Sequence, residues 1–136
     1  MILILNHKYL TMKIYVFGNP ILRKDSLALR VAKRLRKKFP VIEFKEFDTV
    51  EDLEGEILYV MDVAEGIKEV KLIENLDLVE TRKIFSLHDY DLSYELKLLK
   101  KIGKIKKVFL ICIPAGMKED EAIKQVENQI HLILKK

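Results

Sequence analysis

Cysteine and long apolar runs are scarce in this sequence, and each scarcity excludes a class of protein. The chain has one cysteine, Cys112, and no tryptophan. An internal disulfide is therefore excluded, and a small buried side chain in an apolar strand is the favoured interpretation of Cys112. No apolar run approaches the ~20 residues of a membrane span, and Met1–Thr11 lacks the features of a secretory signal. We therefore expect a cytoplasmic protein with no membrane partner.

An excess of one charge sign is also lacking. The formal net charge is +4, which is too small to indicate a nucleic-acid partner. Charged residues make up 34% of the chain, more than in an average globular protein, and lysine and glutamate supply most of the excess. That composition is typical of a heat-loving source. A basic run without interleaved aromatics predicts a solvated helix end rather than an RNA surface; its members are Lys97, Lys100, Lys101, Lys104, Lys106 and Lys107.

Short apolar runs alternate with helical patterns along the 136 residues, a length that suits one domain with one core. Strands are predicted at 14–17, 41–47, 57–63 and 108–113, shorter strands at 68–75 and 82–85, and helices at 25–39, 92–102 and 119–134. This order predicts an α/β three-layer sandwich, with a mostly parallel, twisted sheet of about five strands and helices on both faces. We assign residues 1–136 to a single domain, in which 1–11 is an N-terminal extension and 12–136 the domain proper.

Two features sharpen this fold prediction. The short strands between residues 67 and 85 predict a hairpin or an antiparallel edge. The helix near residue 100 carries an apolar stripe that is expected to face the core, and Gly103 ends this helix; the stripe consists of Leu92, Leu96, Leu99 and Ile102.

Three ionisable residues stand where strands give way to loops. Asp25 follows the turn that closes the first strand, Asp62 ends an otherwise apolar strand, and His88 lies in a polar loop before a helix. Loops at the carboxyl ends of parallel strands meet in one crevice, so these side chains are candidates for one site. Two carboxylates and one imidazole are a plausible ligand set for nickel, zinc or a similar ion, with positions left open for a substrate.

Each of these residues also has a structural explanation. Asp25 is a plausible helix N-cap, Asp62 a cap of the following turn, and His88 a solvent-exposed loop residue. Asp89 either orients the imidazole of His88 or caps the helix near Leu92. No dinucleotide-binding or Walker glycine motif, nucleophile elbow or cysteine–histidine pair offers another chemistry.

Three motifs in this order resemble those of the hydrogenase maturation protease family. They are Gly18-Asn19 with Leu22 and Asp25, Val60-Met61-Asp62-Val63, and Ser86-Leu87-His88-Asp89. The resemblance extends over about Lys13–Leu134. It implies that Asp25, Asp62 and His88 are the metal ligands and catalytic residues. It also implies that Gly18, Asn19 and Asp89 line the substrate cleft.

The function that this resemblance implies is a nickel-dependent endopeptidase, of the aspartic type by family classification. Such an enzyme removes a C-terminal peptide from the precursor of a [NiFe] hydrogenase large subunit. That precursor is then the partner, and it supplies the nickel. The sequence departs from the family at Val16, Lys24 and Ala28, and after Pro114. Two alternatives stay open: a non-catalytic nickel-site checkpoint or assembly factor with the same fold, and an unrelated small-ligand binding α/β domain.

Overall fold

The computed structural model describes residues 12–18, 26–47, 49–81, 83–86 and 92–135. Its elements in chain order are β1 (Met12–Phe17), α1 (Leu27–Lys38), β2 (Ile42–Phe47), a 3₁₀ turn (Val50–Asp52), β3 (Ile57–Glu65), β4 (Lys71–Ile73), α2 (Asp77–Thr81), β5 (Phe85–Ser86), α3 (Leu92–Lys101), β6 (Lys107–Pro114) and α4 (Glu119–Lys135). None of the helices in these ranges is long and apolar enough to cross a membrane.

The strands form one sheet in the order β2-β1-β3-β6-β4. All neighbours along this order are parallel except β4, which runs antiparallel to β6 at the edge. The two-residue strand β5 adds to β3 antiparallel, pairing Ala64 with Ser86. This confirms the predicted α/β class, the mostly parallel sheet of about five strands, and the antiparallel edge. β3 and β6 are central because both are almost continuously apolar, as strands covered on two faces must be.

Two separate apolar cores lie on the two faces of the sheet. One face packs against α1 and α4, with Val31, Leu35 and Ile130 among the fully buried side chains. The other face packs against α2, α3 and the 3₁₀ turn, with Leu92 and Leu96 buried there. Alternate side chains of each strand enter the two cores, which is the two-residue period expected of a covered sheet.

Most of the helix predictions are confirmed. The apolar faces of α1 and α4 are buried as their spacing predicted. α1 begins after Ser26, which acts as N-cap without a side-chain bond to the helix backbone, while its Oγ accepts a hydrogen bond from Arg30. Interhelical ion pairs such as Arg30–Glu119, at 2.9 Å, join α1 to α4 at the surface.

Four details of the structure differ from the sequence predictions. The strand expected at 68–75 is limited to Lys71–Ile73, and the one expected at 82–85 is Phe85–Ser86. The short helix α2 was not predicted, because five residues are too few to show a period. Ile102 does not face the core: α3 ends at Lys101, and the Ile102 side chain is 65% exposed.

A close backbone approach follows the end of β3. Gly66 has φ +96°, and a Cβ on this residue would lie 2.1 Å from the carbonyl oxygen of Lys83. Only glycine fits such a contact at this φ. Gly66 therefore allows the chain leaving β3 to pass tightly beside the chain that enters β5.

Candidate functional site

Of the three predicted metal ligands, Asp62 is the one that lies within the described residues. The strand was expected to end near Asp62, but β3 continues to Glu65, so Asp62 lies inside the strand. Its neighbour on β6 is Cys112. On the other side Val16 pairs with Met61, so the last residue of β1, Phe17, is level with Asp62. Asp62 thus lies in the middle of the sheet, at the level where β1 ends.

Burial and a local hydrogen bond define the state of this carboxylate. Asp62 is 3% exposed, one of two polar or charged residues that are buried within the described ranges. Its Oδ1 accepts a hydrogen bond from the backbone N–H of Val63 over 2.8 Å. A buried carboxylate without partners would be costly, and this bond offsets part of that cost. Asp62 was predicted to cap the turn that follows the strand, but its carboxylate instead accepts a hydrogen bond from an amide within β3.

Cys112 lies beside Asp62 and shares its surroundings. Burial raises the pKa of the Cys112 thiol far above its usual range, and the negative charge of Asp62 raises it further. A thiol in this environment stays protonated and is a poor nucleophile or metal ligand. The prediction that Cys112 is a small buried side chain in a central strand is therefore confirmed.

Of the other predicted site residues, only Gly18 is among those that the structure describes. Gly18 directly follows β1 and is partly buried. Asn19, Asp25, His88 and Asp89 lie outside the described residues, so the predicted convergence of Asp25, Asp62 and His88 stays a prediction. Within the described ranges no three His, Cys, Asp or Glu side chains are grouped as a metal site would require.

Two described strand ends lie near Asp62, on the edge of β3 that does not pair with β6. β1 ends at Phe17, level with Asp62, and the chain continues through Gly18. β5 ends at Ser86, whose partner Ala64 is two residues beyond Asp62 on β3. In the sequence, Asn19 and Asp25 follow the end of β1, and His88 and Asp89 follow the end of β5. The other candidate residues therefore come after the two strand ends near Asp62.

Neither of two surface grooves in the described ranges includes Asp62. One, of about 350 Å³, lies between α2 and α3. The other, of about 180 Å³, lies between the 3₁₀ turn and the end of α3. Asp62 is a carboxylate in largely apolar surroundings, and such a group can ligate a borderline or hard metal ion or accept a proton.

The sequence reasoning did not foresee that Cys112 neighbours Asp62. Both residues were located on central strands, but the register between β3 and β6 decides which side chains are adjacent. Two uniformly apolar strands carry no pattern that fixes their register. No signal in the sequence would have shown this contact.

Solved structures with a similar fold include two proteases. One is a hydrogenase 3 maturation protease, 17% identical, with a TM-score of 0.58 over 85% of this chain and 86% of that chain. The solution structure of the endopeptidase HycI from Escherichia coli is 16% identical, with a TM-score of 0.59 over 85% and 86%.

A third similar structure is an uncharacterized protein from Wolinella succinogenes, 16% identical, with a TM-score of 0.56 over 91% of this chain and 99% of that chain. No protein-family model and no curated protein matches the sequence. Similarity at these identities concerns the fold, and the chain has the α/β fold that is also found in a hydrogenase maturation protease.

Proposed function

We propose that this chain is an endopeptidase that removes a C-terminal peptide from the precursor of a [NiFe] hydrogenase large subunit. The observation that carries the proposal is the buried Asp62 carboxylate, placed where β1 ends in a fold shared with two proteases. A carboxylate is rarely kept in an apolar strand unless it has partners or a function.

Chain connectivity supports a common site for the three predicted ligands. His88 follows Ser86 by two residues, so the two Cα atoms are at most about 7 Å apart. Ser86 pairs with Ala64, which is two residues beyond Asp62 on β3. Asp25 immediately precedes Ser26, where α1 begins. We propose that Asp25, Asp62 and His88 contact one metal ion, and that Gly18, Asn19 and Asp89 line the cleft around it.

In the proposed reaction water adds across the scissile peptide bond. A C–O bond forms, the C–N bond breaks, and a proton passes to the leaving amine. Nickel would arrive with the precursor, held by the precursor's own thiolates, and would supply Lewis-acid chemistry to the scissile carbonyl or to a bound water. Asp62, Asp25 and His88 would orient that nickel, and one of the carboxylates would accept the proton of the attacking water.

The test is incubation of the purified protein with nickel-loaded precursor, followed by the intact mass of the large subunit. The proposal predicts a mass loss equal to one C-terminal peptide, and no loss with nickel-free precursor. Binding of the nickel-loaded precursor without any mass loss would overturn the protease in favour of the non-catalytic checkpoint, which Lys24, beside the predicted ligand Asp25, motivates. Absence of both cleavage and binding would overturn the whole assignment.

A further inference from the structure

Helix α3 has a second apolar face besides the one that packs on the sheet. The inner face is formed by Leu92, Leu96 and Leu99. On the outer side Tyr94, Leu98 and Ile102 are spaced four residues apart and are 55%, 38% and 65% exposed. Ile102 N–H donates to Leu98 O over 3.0 Å, so the helical turn continues through Ile102. Residues at this spacing lie in one row along a helix, and a row of exposed apolar side chains marks an interaction surface.

Lysines border this row on one side. Lys97 and Lys101 lie one turn apart beside it, as the helical period requires. Next to them is the groove of about 350 Å³ between α2 and α3, which is lined by Asn75, Leu76, Asp77, Lys97, Lys100 and Lys101. The surface therefore combines an apolar row, a basic border and a concave groove.

The lysines of this surface differ in whether their charge is paired. Lys97 Nζ lies 3.4 Å from Asp77 Oδ1, so the charge of Lys97 is already paired in the groove wall. Among the described residues, Lys100 and Lys101 form no ion pair. Lys101 lies beside the apolar row, and Lys100 lines the groove next to it. Unpaired ammonium groups next to apolar side chains favour a partner that presents carboxylates next to apolar side chains.

Other polyanions fit this surface less well. Tyr94 is the one aromatic ring of this surface, and Leu98 and Ile102 offer neither stacking to a base nor hydrogen bonds to a phosphate. An anionic bilayer would meet the Asp77 carboxylate in the groove wall as well as the lysines. An acidic, apolar polypeptide segment satisfies the apolar row, the lysines and the groove together.

We propose that the outer face of α3 together with the adjoining groove, defined as Tyr94, Leu98, Ile102, Lys100 and Lys101, is a docking surface for an acidic amphipathic segment of the protein substrate. This inference rests on the proposed function for the identity of that substrate. α3 packs on the same face of the sheet as Cys112, the neighbour of Asp62. A folded precursor can therefore contact α3 while its C-terminal segment is held near Asp62.

The experiment uses two double variants and two matched controls. Leu98→Gln/Ile102→Gln removes the apolar row, and Leu132→Gln/Leu134→Gln is its control on α4, where the side chains are 51% and 48% exposed. Lys100→Gln/Lys101→Gln removes the charges but keeps the Lys97–Asp77 pair, and Lys33→Gln/Lys37→Gln is its control on the exposed face of α1. Thermal melting of each variant establishes that it is folded.

Two measurements are made with nickel-loaded precursor. The first is KM and kcat for cleavage of the precursor. The second is the Kd for the precursor, measured with Asp62→Asn added to wild type and to each variant so that the precursor is not cleaved. We expect both α3 variants to raise KM and Kd by at least about tenfold, with kcat unchanged and the controls unaffected. Added salt should weaken the binding of wild type more than that of Lys100→Gln/Lys101→Gln.

The outcomes separate the two proposals. Cleavage with unchanged KM and Kd in the α3 variants overturns the docking surface and leaves the protease in place. Absence of cleavage by wild type, together with a Kd that the α3 variants raise, overturns the protease and supports the docking surface. Absence of both cleavage and binding overturns both. Binding of anionic vesicles or of single-stranded RNA that is lost in the α3 variants, without an effect on the precursor, also overturns the protein partner.

Discussion

The substitution Asp62→Asn separates a chemical role of this carboxylate from a structural one. Asparagine has nearly the same shape, and its amide oxygen can accept the hydrogen bond that Asp62 Oδ1 now accepts from Val63 N–H over 2.8 Å. It has no negative charge, so it is a poor metal ligand and does not accept a proton from water. A purely structural cap would survive this change, whereas a contact with the metal or the reacting water would not.

The structure sets the expected change in stability. A neutral acceptor in place of a charged one weakens the hydrogen bond, at a cost of about 1 kcal/mol. The side chain is 3% exposed, and a buried carboxylate costs several kcal/mol before its partners offset that cost. Since removal of the charge relieves this cost, we expect the free energy of unfolding to fall by no more than about 1 kcal/mol, or to rise. In a domain of this size the melting temperature then falls by at most about 4 °C.

The assay combines thermal unfolding, followed by circular dichroism, with mass spectrometry of the processed precursor. A charge that stabilises the transition state by several kcal/mol predicts a loss of at least about a hundredfold in the processing rate. Two results would refute the reasoning. Processing within about threefold of wild type would mean that the charge has no chemical role, and a melting temperature lower by more than about 10 °C would mark Asp62 as structural.

Three further changes test the site and the fold. His88→Ala should abolish processing with little change in melting temperature, because His88 is predicted to act as a ligand; a large drop in melting temperature would instead mark a structural histidine. Burial raises the pKa of the Cys112 thiol, so above the ordinary thiol value, about 8.5, the unfolded state loses a proton that the folded state keeps. The free energy of unfolding should therefore fall with rising pH by up to about 1.4 kcal/mol per pH unit. Denaturant titrations from about pH 8 to pH 10 should show that Cys112→Val lacks this part of the pH dependence. Equal pH dependence in wild type and variant would contradict the burial argument. Gly66→Ala should destabilise the fold by at least about 3 kcal/mol, since it adds a backbone clash at 2.1 Å to the strain of φ +96°. Gly103→Ala at φ +83°, with nothing within 4 Å of the added Cβ, should cost only about 1–2 kcal/mol, and equal losses in the two variants would mean that the contact has no effect.

Much of the fold could be predicted because the strongest physical signals are local. The apolar runs of β3 and β6 and the helical spacing in α1 and α4 specify both the element and its buried face. Short pieces such as α2 and β5 carry too few residues for a period and form through contacts with distant parts of the chain. Ile102 shows a related limit, because it follows Leu99 at the spacing of the α3 stripe, yet the packing of the last helical turn leaves it 65% exposed.

The candidate site was predictable in part for a related reason. An acidic residue in an apolar strand is conspicuous in a sequence, so Asp62 could be selected without a structure. Its burial and its neighbour Cys112 depend on strand register, which two apolar strands do not encode locally. The exposed row on α3 had a visible spacing, but whether Leu98 faces solvent is decided by how the helix packs on the sheet.

The central claim is that Asp62 forms one metal-binding site with Asp25 and His88. The most direct test is a crystal of the protein soaked with Ni²⁺ and measured at the nickel absorption edge. The account predicts one anomalous peak with carboxylate oxygens of Asp25 and Asp62 and an imidazole nitrogen of His88 within about 2.0–2.3 Å. Anomalous density elsewhere, with these three side chains pointing to separate parts of the molecule, would contradict it.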